Sequence, residues 1–163
     1  MSSNKSKKLL TLCLIYEHPR ILFGMKKRGF GAGRWNGFGG KLNEGETVEK
    51  GAKRELQEEA GVTATEMEKR GILEFEFQTN GDIFEVHVFR VKSFTGTPTE
   101  SEEMKPQWFD VADIPYDAMW PDDRFWLPLF LKDKKFKGRF LFGENDAIME
   151  HELSEIENLE EGA

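Results

Sequence analysis

Short apolar runs at positions 9–16 and 21–25, separated by His18-Pro19, predict two strands joined by a turn. From Thr47 the spacing changes: Val48, Gly51, Ala52 and Leu56 recur at helical intervals, so 47–60 reads as a helix with Thr47 as its cap and Gly61 as its left-handed stop. Alternation returns at 72–77 and 83–89, where Ile83, Glu85, His87 and Phe89 face one way and Phe84, Val86 and Val88 the other, about a turn at 79–82. His87 is therefore a strand residue with no assigned role. A short strand at 107–109, a second helix at 122–132 interrupted by Pro128, and a hairpin of 136–142 and 147–153 about Glu144-Asn145-Asp146 complete the pattern. Strands mixed with two helices predict a sheet with helices packed on it, an α/β chain. No repeat or internal boundary divides residues 1–163, which read as one domain with an ordered core at about 9–153. Residues 1–8 and 154–163, the latter carrying Glu155, Glu157, Glu160 and Glu161, read as flexible, solvated ends.

One stretch fits neither period. Between positions 29 and 45 stand Gly29, Gly31, Gly33, Gly37, Gly39, Gly40 and Gly45, interleaved with Phe30, Trp35 and Phe38. A flexible linker would not carry those aromatics, so this is a structured loop whose backbone approaches something closely.

Composition narrows the function classes. With 23 basic against 30 acidic residues the 163-residue chain carries −7 at neutral pH, which disfavours binding to polymeric nucleic acid and leaves room for a single nucleotide whose charge a metal ion helps to balance. A hydrophobic content of 38% with 12% aromatics supplies a core and excludes wholesale disorder. The single cysteine, Cys13, rules out an internal disulfide and reads as an ordinary strand residue in a reducing compartment. No apolar run reaches the ~18 residues of a membrane span, and no signal-peptide architecture is visible. The expectation is a cytoplasmic protein, a nuclear or mitochondrial fraction being compatible with it, that acts as a monomer away from membranes.

Chemistry enters with the first helix. At 100° per residue, Glu55 and Glu59 fall on the same stripe as Leu56 and Ala52, Glu58 lies at its margin, and Lys50, Lys53 and Gln57 point away. Glu-rich helices are usually solvated surfaces. Here inward carboxylates would repel one another and lose hydration unless a cation joined them, and clustered acidic oxygens suit a hard ion such as Mg²⁺.

Gly40, five residues, Glu46, seven residues, then Arg54-Glu55-Leu56-Gln57-Glu58-Glu59-Ala60-Gly61-Val62 resembles the Nudix box, with every specified position present. The resemblance implies the Nudix fold, an α/β/α sandwich around a mixed β-sheet, and Mg²⁺-dependent hydrolysis of a nucleoside diphosphate linked to another group, with Mn²⁺ able to substitute. It implies metal ligation by Glu55, Glu58, Glu59 and the Gly39 carbonyl, with Arg54 holding the glutamates in register. The proton acceptor is Glu59 or a carboxylate outside the box; the segment Glu100-Ser101-Glu102-Glu103 offers one, and the resemblance favours Glu103, also as a metal ligand.

The flanks narrow the substrate. Residues 24–41, Gly96-Thr97-Pro98 and Met119-Trp120-Pro121-Asp122-Asp123 resemble the Nudix branch that hydrolyses damaged purine nucleoside triphosphates. The branch implies 8-oxo-dGTP and 2-hydroxy-dATP as substrates, with O6-methyl-dGTP and N6-methyl-dATP as further candidates, cleaved to monophosphate and pyrophosphate so that the nucleotide pool is sanitised. Carried over by position, Thr11, Lys26, Phe30, Asn36, Phe38, Gly39, Gly40, Lys41, Phe75, Trp120, Pro121, Asp122, Asp123 and Trp126 would bind the nucleotide. Trp120 can stack on a purine face and Asn36 offers a donor and an acceptor. Asp122 and Asp123 are either helix caps or, beside Trp120 and Trp126, a pair of close carboxyls sharing a proton. Phe84 departs from the branch, standing where a methionine is expected. The rival readings are a Nudix hydrolase of another nucleoside diphosphate derivative and a non-catalytic Nudix binding module.

Overall fold

The structure is a computed structural model that describes residues 7–159. β1 (Lys7–Glu17) pairs in parallel with β5 (Ile83–Thr95) along most of its length. Its other edge is shared. β2 (Arg20–Lys26) pairs with β1 only from Ile15 to Glu17, across a turn whose His18-Pro19 bond is cis. Beyond Ile15 the two strands diverge, and the glycine-rich loop fills the gap: Phe38 bonds Cys13 and Lys41 lies opposite Leu10. β2 then pairs with the two-residue β3 (Trp35–Asn36) and, on its far edge, with β6 (Met104–Asp110). On the other side of β5 come β4 (Thr63–Phe77), β7 (Lys135–Phe142) and β8 (Ile148–Ile156), with β4 and β7 parallel. The result is one mixed eight-stranded sheet.

Helices α1 (Val48–Ala60) and α2 (Asp123–Leu131) cover opposite faces, giving the three-layer α/β/α arrangement that the family resemblance implies. Strand alternation sorts the core: Cys13, Ile15, Leu22 and Phe89 pack beneath Ala52, Leu56 and Ala60 of α1, whereas Leu14, Tyr16, Phe23, Leu73 and Phe140 pack beneath Trp126, Leu127 and Phe130 of α2. α1 starts and stops as its sequence dictates. Thr47 accepts from the Lys50 N–H at 3.2 Å, and Gly61, at φ 73, donates to the Gln57 carbonyl.

Several boundaries differ from expectation. β4 starts at Thr63 and β5 runs to Thr95, well beyond 72–77 and 83–89, because register shifts near Ala64–Met67 and Lys69–Gly71 break the alternation. Residues 7–8 and 154–156, expected in the chain ends, are paired strand, since Lys7 and Lys8 lie opposite Ile83 and Phe84 while β8 continues along β7 to Ile156. Residues 1–6 and 160–163, including Glu160 and Glu161, lie outside the described residues. Cys13 is buried, and among the described residues no helix is long and apolar enough to cross a membrane.

Candidate active site

A cavity of about 460 Å³ opens on the α2 side, where the divergence of β1 and β2 leaves the sheet incomplete. Its floor is aromatic. Phe75 and Phe77 of β4, Phe84 of β5 and Phe142 of β7 line it, with Trp120 and Trp126 forming the α2 wall. Phe30, 62% exposed at the loop tip, is stacked on Trp120 with centroids 5.1 Å apart and meets Phe77 and Phe84 edge-on. The Arg34 guanidinium lies 4.2 Å from the Trp120 ring centre and pairs with Asp146 at 2.9 Å.

Asp122 and Asp123 enter the cavity from the start of α2, both almost fully buried. Asp122 makes no side-chain cap hydrogen bond, contrary to the capping alternative. Instead its carboxylate accepts from the Trp126 indole N–H at 2.7 Å and shares a hydrogen bond with Asp123. Burial pushes both carboxyls above the ordinary aspartate range, and the Asp122 charge raises Asp123 further. Two adjacent buried acids cannot both ionise cheaply, so the pair holds a proton that can serve as donor.

The other end of the cavity meets the first helix. Glu59 is the only glutamate of the box that lines it. Its carboxylate accepts from the Gly39 N–H at 3.0 Å, and burial pushes its pKa up to about 8, against the opposing pull of that hydrogen bond. Glu55 is raised too, first by burial. Arg54 gathers the surroundings: it forks onto Glu46 at 2.8 and 3.0 Å, donates to the Lys41 carbonyl at 3.0 Å, and reaches Glu55 and Glu58 at 3.3 and 3.2 Å. Glu58 projects to solvent. Glu103 is held by Lys26 and Arg28, each at 3.0 Å, which keep its carboxyl below the usual range.

Among the described residues no three acidic, histidine or cysteine side chains converge on one point. The donor chemistry still fits a hard divalent cation. The buried Glu59 carboxylate lies near that of Glu55, which Arg54 reaches at 3.3 Å, and all available donors are oxygens. The Gly39 N–H is bonded to the Glu59 carboxylate, which brings the glycine loop against that carboxylate.

The loop glycines are needed for this approach. A Cβ on Gly39 would lie 1.8 Å from the Thr11 carbonyl oxygen, and one on Gly40 would lie 2.6 Å from the Glu55 carboxylate. Gly39→Ala is expected to lower unfolding stability by about 3 kcal/mol, measured in urea; an unchanged midpoint would mean the loop is not held against β1.

Of the residues proposed to bind nucleotide, Thr11, Lys26, Phe30, Asn36, Gly39, Gly40, Lys41, Phe75, Trp120, Asp122, Asp123 and Trp126 line the cavity. Phe38 does not. Fully buried under α1, it faces away from the cavity, because its backbone pairing with Cys13 turns its side chain onto the opposite face of the sheet. Pro121 lies outside the lining as well, as do Glu55, Glu58 and Glu103. Sequence reading missed Phe77, Phe142 and Arg34. The first two follow from carrying the alternation of Phe75 and Phe140 one step further; Arg34 has no local signal, since only the fold sets it over Trp120.

The chain matches the NUDIX domain model over residues 8–130. It is 52% identical over 154 residues to the oxidized purine nucleoside triphosphate hydrolase of Danio rerio, covering 94% of this chain and 99% of that one. The Mus musculus protein of the same name is also 52% identical, over 94% and 98% of the two chains. Among solved structures, the MutT protein of Bacillus halodurans superposes with a TM-score of 0.81 over 90% of this chain and 97% of its own, at 24% identity, a likeness of fold.

Proposed function

The chain belongs to the Nudix family, and from that premise we propose that it hydrolyses oxidised purine nucleoside triphosphates to nucleoside monophosphate and pyrophosphate. The observation that carries this is one cavity with a proton-sharing carboxyl pair under an aromatic wall at one end and a buried glutamate backed by a glycine loop at the other. The curated relatives that match nearly the whole chain are named for that activity.

Nudix hydrolases generally use divalent metal ions; here the proposed ion is Mg²⁺, with Mn²⁺ as a substitute, held by Glu55, Glu58, Glu59 and the Gly39 carbonyl, with Glu103 from the facing loop. When bound, it supplies positive charge to the phosphate oxygens and acidifies a water. The chain's own residues do the rest. Glu59, buried at its end of the cavity and held in place by the Gly39 N–H, accepts the proton of the attacking water. Arg54 keeps Glu55 and Glu58 oriented, and Gly39 fixes Glu59 through its N–H. Lys26 and Lys41 at the cavity edge face the phosphates. Trp120 and Phe30 offer π faces to the base, Asn36 reads its edge, and Asp122 with Asp123 match a purine whose donor and acceptor pattern oxidation has altered. The substrates are 8-oxo-dGTP and 2-hydroxy-dATP, with O6-methyl-dGTP and N6-methyl-dATP as further candidates, and Phe84 tunes the preference among them. The enzyme acts as a cytoplasmic monomer on free nucleotides, consistent with a net charge of −7.

The test is a panel of normal and oxidised nucleoside triphosphates with Mg²⁺ in ¹⁸O water. Oxidised purines should be preferred, with monophosphate and pyrophosphate as products. Orthophosphate plus a nucleoside diphosphate would overturn the reading.

A further inference from the structure

Helix α2 carries Asp123 and Trp126 in its first turns, yet the helix start has no side-chain cap because Asp122 bonds Trp126 instead. Its seat on the sheet is secured at the opposite end, ~13 Å along a nine-residue helix. There the chain leaves through Asp133, a non-glycine residue at φ 63. The Asp133 N–H donates to the Phe130 carbonyl and the Lys134 N–H to the Leu129 carbonyl, both at 3.0 Å. That is a left-handed helix end, where glycine is the usual occupant and a side chain is strained.

The surroundings fix the side chain there. Asp133 Oδ1 accepts from Arg70 of β4 at 2.8 Å and from Arg90 of β5 at 3.2 Å. The Arg70 side chain is 9% exposed. Arg90 also donates to the Tyr16 carbonyl at 3.1 Å and lies over the Tyr16 ring, whose hydroxyl donates to the Leu131 carbonyl in the last turn of α2. Three strands thus converge on one helix end, and none of these groups lines the cavity.

We propose that Arg70, Arg90 and Asp133 are positioning residues that seat α2 on the sheet and so set the placement of Asp122, Asp123 and Trp126 against the base. The geometry supports a role beyond packing. Apolar contacts of Trp126, Leu127 and Phe130 hold the helix down, but a greasy face tolerates sliding and rotation that directed ion pairs forbid. The proposal rests on the reading of the Asp122–Asp123 pair as the base reader.

Asp133→Gly is the decisive variant. Glycine keeps the left-handed turn and removes only the carboxylate, while Arg70 retains Glu68 at 2.6 Å and Arg90 retains the Tyr16 carbonyl. With 8-oxo-dGTP and dGTP as substrates, KM for the oxidised nucleotide should rise about tenfold, with kcat unchanged within about twofold. The preference over dGTP should fall in proportion. Adding Arg90→Gln should cost little more, since both changes break one unit. Amide hydrogen exchange supplies a readout independent of substrate: the N–H groups of Phe125 and Trp126 should exchange faster in Asp133→Gly. Wild-type KM and wild-type exchange in that variant would overturn the proposal. Wild-type protein without any preference for the oxidised nucleotide would overturn the functional reading instead, and the exchange result would then decide on the seating of α2 alone.

Discussion

Glu59→Gln should lower kcat by about 10²-fold or more, the scale of losing a general base or a metal ligand. The fold should survive, because the glutamine oxygen can still accept the Gly39 N–H that Glu59 holds at 3.0 Å. The loss belongs in kcat rather than KM, since Glu59 stands at the end of the cavity remote from Trp120 and the aspartate pair. Glu58→Gln is the useful comparison: Glu58 projects to solvent and bonds Arg54, so a large loss of turnover there would point to its serving as a ligand. Near-wild-type turnover in both variants would reduce the acidic helix face to a structural element.

The second large effect lies at the other end of the cavity. Asp122→Asn and Asp123→Asn should each reduce kcat/KM, and by different factors for the oxidised guanine and oxidised adenine triphosphates. The two acids are not equivalent: Asp122 has one oxygen fixed as acceptor by the Trp126 indole, whereas Asp123 is the one that its neighbour's charge makes the more reluctant to ionise. An amide fixes as donor and acceptor what a carboxyl can interchange, and one unmatched buried group costs about 1–3 kcal/mol, or roughly 5- to 150-fold. Trp120→Ala should instead weaken both substrates alike, because stacking ignores the edge pattern. Equal losses in both aspartate variants would remove the pair from base recognition.

Stability offers a check on the same pair. Burial raises both folded-state pKa values above the unfolded aspartate value of about 3.9. Their contribution to stability is therefore complete below that value and is lost as pH rises through the raised folded range. Asp123→Asn removes part of this slope, so its Tm should depend less on pH than the wild type's between about pH 4 and neutrality, and a parallel profile would contradict the burial argument.

Much of this organisation was legible in the residues. Thr47 and Gly61 delimit α1 because caps are local chemistry, and the 100° period turned Glu55 and Glu59 inward before any coordinate did. The long arms of β4 and β5 were not legible: Thr63–Lys69 is largely polar, and its bulges erase the two-residue period on which strand reading depends. Phe38 shows a second limit. Its place in an aromatic, glycine-rich run suggested a pocket residue, but which face it meets is decided by pairing with Cys13, a partner 25 positions away in sequence. Glu103 shows a third: its type was readable, while its capture by Lys26 and Arg28 depends on the pairing of β2 with β6, which sets Lys26 opposite Met104.

The parallel pairing of β4 with β7 also imposes an order of assembly on a chain emerging from the ribosome. Every buried residue of the layer beneath α1 lies between Cys13 and Met104, so that half can close as soon as β6 has been made. The layer beneath α2 needs Phe136, Phe140 and Phe142, which arrive only after the helix they support. Until then Phe75, Phe77 and Trp126 lack the ring partners that β7 supplies, and β4 presents an open edge along Gly71–Phe77. The glutamate end of the cavity is thus built early and its base-reading end last. The interval between them is when the nascent protein is most exposed to edge-to-edge aggregation and most dependent on chaperones.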